Sequence, residues 1–555
     1  MIKAKLVSSL EKAFVDQSID DFSALDYISA LRGERLSLQL LHIYDSSDGP
    51  AMWEPKRLAV CPIGRLSEFV SLRQVVSVPV QKPTYALGFD DNYLRTTPGL
   101  YPDLLRPLYY NGSASFACDI LQSVWIEINI PEQIEPGQYT LSFAFDGGEF
   151  GCCDTSVTIE IIDAILPHED IYFTQWFHAD CLANYYNVDV WSDAHWQIVE
   201  NFVKTARRNG INTLLTPVFT PPLDTAVGGE RRTTQLVDIT RVGDRYIFDF
   251  ARLDRWIDMC NRCGVEYMEI SHFFTQWGAQ HAPKIMATVQ GEYQRIFGWD
   301  TDATGEEYTA FLRAFLNALL DHLKKRGDDK RCFFHISDEP GLPHLEHYKK
   351  AKAIVADILA GYPIMDALSE YRFYETGVID HPIPANNDIQ PFIDAKVADL
   401  WTYYCVCQYH QVSNRYHSMP SWRNRSIGMQ LYKYDIKGFL HWGYNFYNNQ
   451  YSGDAINPYI EQSADLVFPA GDAFSVYPAG DGTPLESIRL VVFSEALQDI
   501  KAMKLAESLT SHEQVVAAIE SALGCEVTFQ TCAKSSDTML RIREAVNEII
   551  KNART

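Results

Sequence analysis

From residue 170 onward, short apolar runs alternate with amphipathic helical stretches, and this alternation restricts the fold more than any other feature of the chain. Eight runs read as strands: Tyr172–Phe177, Thr213–Val218, Tyr267–Phe273, Cys332–Ser337, Pro363–Leu368, Val397–Tyr403, Ser426–Tyr432 and Gly438–Tyr444. Several are apolar throughout, as strands covered on both faces are. Between them, Ala194–Arg208, Leu253–Cys263, Glu306–Lys325 and Leu345–Leu359 repeat apolar residues at helical spacing. Eight strands with intervening helices predict a (β/α)8 TIM-like barrel.

A chain of 555 residues exceeds what one core organises, so further domains are expected. Leu36, Leu38 and Leu40 alternate with Ser37 and Gln39, and Val124–Ile130 alternates around Trp125, Glu127 and Asn129. Tyr139–Phe145 follows the Pro136-Gly137-Gln138 turn, and Ser156–Ile162 alternates again. Short period-two runs between Pro/Gly turns predict an antiparallel β-sandwich. The stretch from Asp91 to Ser115, rich in Pro, Tyr and Leu, reads as a long packed loop, and Leu166-Pro167-His168 as a boundary. Ile488–Leu509, Ser511–Leu523 and Thr538–Lys551 are helical in pattern; one of them is expected to close the barrel. The expected organisation is multidomain: an N-terminal β-sandwich over 1–165, a catalytic barrel over 166–500 and a helical C-terminal tail over 501–555.

The formal net charge of -24 repels phosphate backbones and anionic bilayers, so neither nucleic acid nor membrane is expected as a partner. No apolar run approaches a membrane span. The opening MIKAKLVSSLEKAF lacks the apolar core and cleavage site of a signal peptide. The 12 cysteines, without framework spacing, then read as reduced thiols of a cytoplasmic protein. Cys260 and Cys263 form a lone CxxC in a helical pattern, and Cys405 and Cys407 follow a strand; a zinc site would need both pairs to converge. No phosphate-binding loop, HExxH motif or nucleophile elbow occurs, so neither a metal nor a cofactor is expected. The sequence leaves homo-oligomerisation open.

A barrel carries its chemistry at the C-terminal ends of its strands. The fourth run is followed directly by Asp338, Glu339, Pro340 and Gly341. Two adjacent carboxylates there read as a catalytic pair, and Pro340 biases Glu339 away from helical conformation. Like charges this close raise the pKa of one member, which suits Glu339 as proton donor with Asp338 ionised beside it. A conventional retaining glycosidase needs a second carboxylate about 5–5.5 Å away. In the large clan of barrel glycosidases an Asn precedes the acid and a nucleophilic Glu ends strand seven; here Asp338 precedes it, and Gly428-Met429-Gln430-Leu431-Tyr432 holds no carboxylate. Substrate-assisted catalysis remains: the 2-acetamido oxygen of an N-acetylhexosamine attacks the anomeric carbon with retention. Asp338 then accepts the acetamido N–H, and Glu339 protonates the leaving group and afterwards activates water. Glu269, Asp366, Glu370 and Glu375 stay open as a hidden second carboxylate.

The Ser337-Asp338-Glu339-Pro340 site resembles glycoside hydrolase family 123, the β-N-acetylgalactosaminidases. Gly438–Asn445 (GFLHWGYN) and Gly471–Pro478 (GDAFSVYP) are similar to motifs of that family's C-terminal region, which is also known as a domain of unknown function. Ser487-Ile488-Arg489 and Tyr101-Pro102-Asp103 fit as well. The resemblance covers most of the chain and implies a β-sandwich, a catalytic barrel and the roles given above for Asp338 and Glu339. It implies an exo-β-N-acetylgalactosaminidase that cleaves a terminal residue from a glycan or small oligosaccharide. The missing export signal departs from many such enzymes and favours a small, imported glycan.

Other strand ends offer sugar-binding groups. Trp176 ends the first run, near Gln175 and His178; His272 and Trp277, with Gln276, lie at or beyond the third. Trp401, Tyr403 and Tyr404 end the sixth run, and Trp442 and Asn445, with Tyr444, the eighth. Aromatic rings stack on the apolar face of a sugar, and a tyrosine hydroxyl can hold an acetamido carbonyl. His335, inside the fourth run, reads as a supporting core histidine. Two alternatives remain: a conventional two-carboxylate glycosidase of other specificity, and a non-catalytic carbohydrate-binding protein on a retained barrel.

Overall fold

The computed structural model describes residues 1–50, 52–109 and 112–554. In the N-terminal part, a five-stranded sheet runs in the order Ile2–Ser8, Arg35–Tyr44, Gln122–Asn129, Val70–Val80, Gly99–Pro107. A four-stranded sheet orders Tyr27–Arg32, Cys152–Ile165, Gly137–Asp146 and Cys61–Ile63. Leu38, Leu40, Val124 and Ile126 from the first share one apolar core with Leu141, Phe143, Val157 and Ile159 from the second. That is the inward half of the alternation expected from sequence.

Two expectations are corrected here. The region is not purely antiparallel, because Tyr27–Arg32 runs parallel to Cys152–Ile165. The turn at Gly33-Glu34 sends the chain straight into the other sheet, so this strand finds its partner far along the sequence. Gly99–Pro107, expected within a loop, is the edge strand of the first sheet. Its prolines mask the strand pattern, and Pro102 sits opposite Ser77 at a register shift, where proline is tolerated.

The catalytic part holds a curled six-stranded parallel sheet in the order Cys332–Phe334, Tyr267–Ile270, Thr213–Thr216, Tyr172–Gln175, Gly438–His441, Trp401–Tyr403. Met365–Ala367 and His381–Ile383 form a separate parallel pair. Single parallel bridges, Phe334 to Ile364 and Ala385 to Tyr403, tie that pair to the two edges of the larger sheet.

The seventh expected run is not a strand. Ser421–Arg425 and Ile427–Lys433 are helical, and His381–Ile383, flanked by Pro384, is the strand that the sequence reading passed over. A short apolar run cannot announce its own period, and Ile427–Tyr432 is apolar because all of it is buried. Gly428 packs against the backbone of helix Ile488–Leu509: a Cβ there would lie 2.7 Å from the Ala496 carbonyl oxygen.

Helix Ile488–Leu509 runs through the boundary expected at residue 500. With His512–Leu523 and Ser536–Asn552 it builds a core of Val491, Met503, Val515, Ile542 and Val546. Leu10, Leu31, Trp125 and Ile162 of the N-terminal part join the same core, so these helices stitch the two halves together. Among the described residues no helix is long and apolar enough to cross a membrane.

Candidate active site

The dipeptide Asp338-Glu339 is held by the strands on either side of it. Beyond Phe334, the N–H groups of Ile336 and Ser337 donate to the Asp366 carboxylate at 2.9 and 3.3 Å. The Trp277 N–H donates to the Asp338 carbonyl at 2.8 Å, and the Glu339 N–H to the Ala367 carbonyl at 2.9 Å. Glu339 has a φ of 44°, a left-handed value that costs a non-glycine residue about 1 kcal/mol or more. Its side chain lines an open cleft together with Asp338, Trp176 and Trp442. Tyr403, at the end of Trp401–Tyr403, donates its hydroxyl to Glu339 Oε1 at 2.7 Å.

Both carboxyls are displaced upward. Burial raises Asp338 well above the usual carboxylate range, Glu339 and Asp366 add to it, and His335 opposes them. Burial also raises Glu339; the Tyr403 hydroxyl opposes that, and the charge of Asp472 adds to it. Two acids this close hold one proton between them more tightly than isolated carboxylates do.

Beneath the pair lies a buried polar cluster. Glu269 accepts from Thr174 Oγ1, from Trp176 Nε1 at 3.3 Å and from His335 Nε2 at 3.1 Å. His335 Nδ1 lies 3.5 Å from Asp366. Burial alone would lower His335, but Asp366 and Glu269 raise it to about 9. Glu269 and Asp366 are thus occupied under the cleft and do not face a sugar; Glu375 pairs with Arg372 on the surface.

His272, His335 and Asp366 place one ligand atom each within 4.8 Å of one another, the metal-like grouping found among the described residues. The two imidazoles are stacked, 4.5 Å apart with planes 21° from parallel. The two His335 nitrogens face Glu269 and Asp366. Cys260 is buried in helix Ala251–Cys263, and the 12 cysteines are all free thiols.

Of the expected sugar-binding residues, Trp176, Trp277, Tyr403 and Trp442 line the cleft together with Asp338 and Glu339. Trp442 Nε1 donates to Asp472 Oδ2 at 2.6 Å, which fixes its ring. Four others do not reach it. Trp401 opens its strand and therefore sits deep inside the curled sheet, stacked on Tyr172 at 5.2 Å. Its ring covers Gly438, where a Cβ would collide with the indole. Tyr404, one residue beyond Tyr403, points to the opposite face, where its hydroxyl donates to Asn424 Oδ1 at 3.1 Å. His272 is buried behind Trp176, with ring centroids 5.2 Å apart. Asn445 is spent on the backbone of His178, accepting from its N–H at 2.9 Å and donating to its carbonyl at 3.1 Å.

The cleft also holds residues that sequence reasoning missed: Leu223, Asp224, Cys405, Val406, Gln450 and Phe468. Asp224 had a usable signal, since Pro221-Pro222 lead into it beyond the second strand. Gln450 and Phe468 come from long irregular segments that carry no periodic signal.

An acid pair at a strand end, in a cleft walled by aromatics, suits a glycoside hydrolase. The family model described as glycoside hydrolase 123, catalytic domain, matches residues 176–506. The chain therefore belongs to glycoside hydrolase family 123. Its fold is similar to that of a family 123 glycoside hydrolase from Clostridium perfringens, described as acting in glycolipid glycan hydrolysis. The TM-score is 0.74 at 16% identity, over 100% of this chain and 99% of that one. A GH5 xyloglucanase from Bacteroides ovatus aligns at a TM-score of 0.31 and 8% identity, over 85% of this chain and 98% of that one. A GH5 mannosidase from Rhizomucor miehei aligns at 0.31 and 12%, over 60% and 95%. A comparison with curated proteins gave no match.

Proposed function

We propose that this glycoside hydrolase is a retaining exo-β-N-acetylgalactosaminidase that works by substrate-assisted catalysis on a (β/α)8 barrel, two of whose joins are single bridges. The division into 1–165, 166–500 and 501–555 enters the same reading, with helix Ile488–Leu509 spanning its second line. The observation that carries the reading is the adjacent pair itself: Asp338 enclosed, Glu339 open to the cleft and bonded to Tyr403. Trp401–Tyr403, seventh of the parallel strands in chain order, runs on into Tyr404 and Cys405 and supplies no carboxylate.

In this mechanism the acetamido N–H donates to Asp338. A donor favours the ionised form, so the shared proton moves to Glu339. Glu339 gives it to the leaving oxygen while the acetamido oxygen closes on the anomeric carbon. The oxazolinium ion is balanced by Asp338. Glu339, now a carboxylate, takes a proton from the incoming water, whose oxygen opens the ring with net retention. The description of the Clostridium perfringens enzyme makes a terminal residue of a glycolipid glycan the first natural substrate to try.

Aryl glycosides test this directly. The parent is expected to cleave aryl β-N-acetylgalactosaminides and to be inhibited by a thiazoline mimic of the intermediate. Glu339→Gln and Asp338→Asn are each expected to lose about 10²–10⁴-fold in kcat. Hydrolysis of the plain β-galactoside at a comparable rate would overturn the proposal. Asp224, the third acid of the cleft, keeps one second reading alive: a two-carboxylate mechanism with Asp224 as nucleophile.

A further inference from the structure

Asp224 is mounted with unusual care. Its φ is 39°, in the left-handed region. Its N–H donates to Gln276 Oε1, its carbonyl accepts from Ser452 Oγ at 2.8 Å, and the neighbouring Ala226 N–H donates to the Tyr451 carbonyl at 3.1 Å. Three segments distant in sequence are thus tied around one residue. The side chain is little used by comparison. Oδ2 accepts the Tyr451 N–H at 3.1 Å, and among the described residues the carboxylate makes no other hydrogen bond and no ion pair. Arg231, the cation whose charge it feels, is held by both oxygens of Asp180, at 2.8 and 2.6 Å. Asp224 therefore faces the cleft with free lone pairs, beside Trp277, whose half-exposed indole meets the Tyr451 ring edge-on at 5.8 Å.

A nucleophilic carboxylate is kept ionised by donors or a cation. Asp224 has one backbone donor, and burial pushes it up to about 6. A group of that kind suits exchange of hydrogen bonds with neutral hydroxyls, and an indole next to it suits the apolar face of a pyranose. Asp338, Glu339 and Tyr403 occupy the wall where the acetamido group and the leaving oxygen belong. Asp224 lies near enough to Asp338 for its charge to raise that carboxyl, so it belongs to the same sugar subsite, and the ring hydroxyls that those three groups leave free are what remains for it to read.

We propose that Asp224 is the specificity residue of the cleft: it accepts from a ring hydroxyl that Asp338, Glu339 and Tyr403 leave free, at C4 or C6, and so sets which epimer is cleaved. This rests on the pyranoside reading above. Asp224→Asn keeps the acceptor for Tyr451, and Asp224→Ala removes it; both are compared with the parent in the full chain, after melting curves show them folded. Substrates are the aryl β-N-acetylgalactosaminide, its C4 epimer the glucosaminide, and the 4-deoxy and 6-deoxy analogues. A site built to bond a hydroxyl rejects the analogue lacking it by up to about 10⁴-fold. Asp224→Asn is expected to lose about 10²-fold in kcat/KM on the preferred epimer and to bring the epimer ratio near one. One deoxy analogue should be insensitive to the substitution.

An unchanged epimer ratio in both variants overturns the proposal. So does loss of kcat by about 10⁴-fold or more on every substrate in Asp224→Ala, restored by azide as an inverted glycosyl azide, which marks a nucleophile. If the parent prefers a pyranoside without an acetamido group, the substrate-assisted reading fails by itself. The Asp224 ratio is then read between that sugar and its C4 epimer.

Discussion

The hydroxyl of Tyr403 is the one side-chain donor on Glu339 among the described residues, and it pulls the acid against the upward push of burial. Tyr403→Phe removes one oxygen and nothing from the packing. The Glu339 pKa then rises further, so the protonated form persists to higher pH and the carboxylate form appears later. The alkaline limb of the kcat/KM profile, set by the Glu339 proton, is expected to move to higher pH, with about a tenfold fall at the maximum; an unmoved limb would show that Tyr403 does not tune the acid. At this scale the sequence was informative where position along a strand decides the outcome. Asp338 and Glu339 were legible because they follow an apolar strand directly. Trp401, Tyr403 and Tyr404 were not separable. Trp401 and Tyr403 share a face and differ only in depth, while Tyr404 differs from Tyr403 by a single step of the pleat.

Three of the motifs that carried the family resemblance meet in one place. Arg489, at the start of helix Ile488–Leu509, forks onto Asp103 with two bonds of 2.9 Å. It also donates to the carbonyls of Gly471 and Phe474 at 2.6 and 2.7 Å. Tyr477 adds its hydroxyl to Asp103 at 2.6 Å. The N-terminal Tyr101-Pro102-Asp103, the GDAFSVYP segment and the closing helix are thus one buried knot, and their spacing in the sequence reflects contact in the fold. Arg489→Met leaves Asp103 charged and enclosed, and is expected to cost about 3–5 kcal/mol in urea unfolding. The double variant Arg489→Met, Asp103→Leu should recover a good part of that, because both charges go together. Elements without such a knot were harder to read. The strand His381–Ile383 is three residues long and flanked by proline, and the helix Ile427–Lys433 is buried all round from Ile427 to Tyr432.

Across the whole molecule, the N-terminal sheets and the catalytic part are joined by charge as well as by the C-terminal helices. Arg73 and Glu127 come from the first sheet, Arg208 from helix Asp193–Arg208 and Glu486 from the hairpin before the closing helix. Arg73 meets Glu127 at 2.9 Å and Arg208 meets Glu486 at 2.7 Å, with further bonds crossing between the pairs. Burial would raise Glu486, but Arg73, Arg208 and Arg35 hold it down to about 2. A depressed carboxylate contributes stability above its unfolded pKa, about 4.3, and loses it as pH falls toward the folded value. Unfolding at pH 6 and at pH 2.5 should therefore show the gap between parent and Glu486→Gln shrinking on acidification, by on the order of 2 kcal/mol. A gap independent of pH would mean that the network is not set by the Glu486 charge. None of this inter-part wiring was legible in the sequence, because each partner is an ordinary charged residue until the fold brings it to the others.

The central claim is that the substrate's own acyl oxygen is the nucleophile beside Asp338. The most direct measurement is kcat for aryl β-galactosaminides carrying N-acetyl, N-fluoroacetyl, N-difluoroacetyl and N-trifluoroacetyl groups. Fluorine drains the acyl oxygen of electron density and leaves the sugar and the leaving group as they were. The account predicts a steep, graded fall in kcat, about tenfold or more across the series, since a weaker nucleophile raises the barrier directly. A kcat indifferent to fluorination would contradict it and return the nucleophile to the protein.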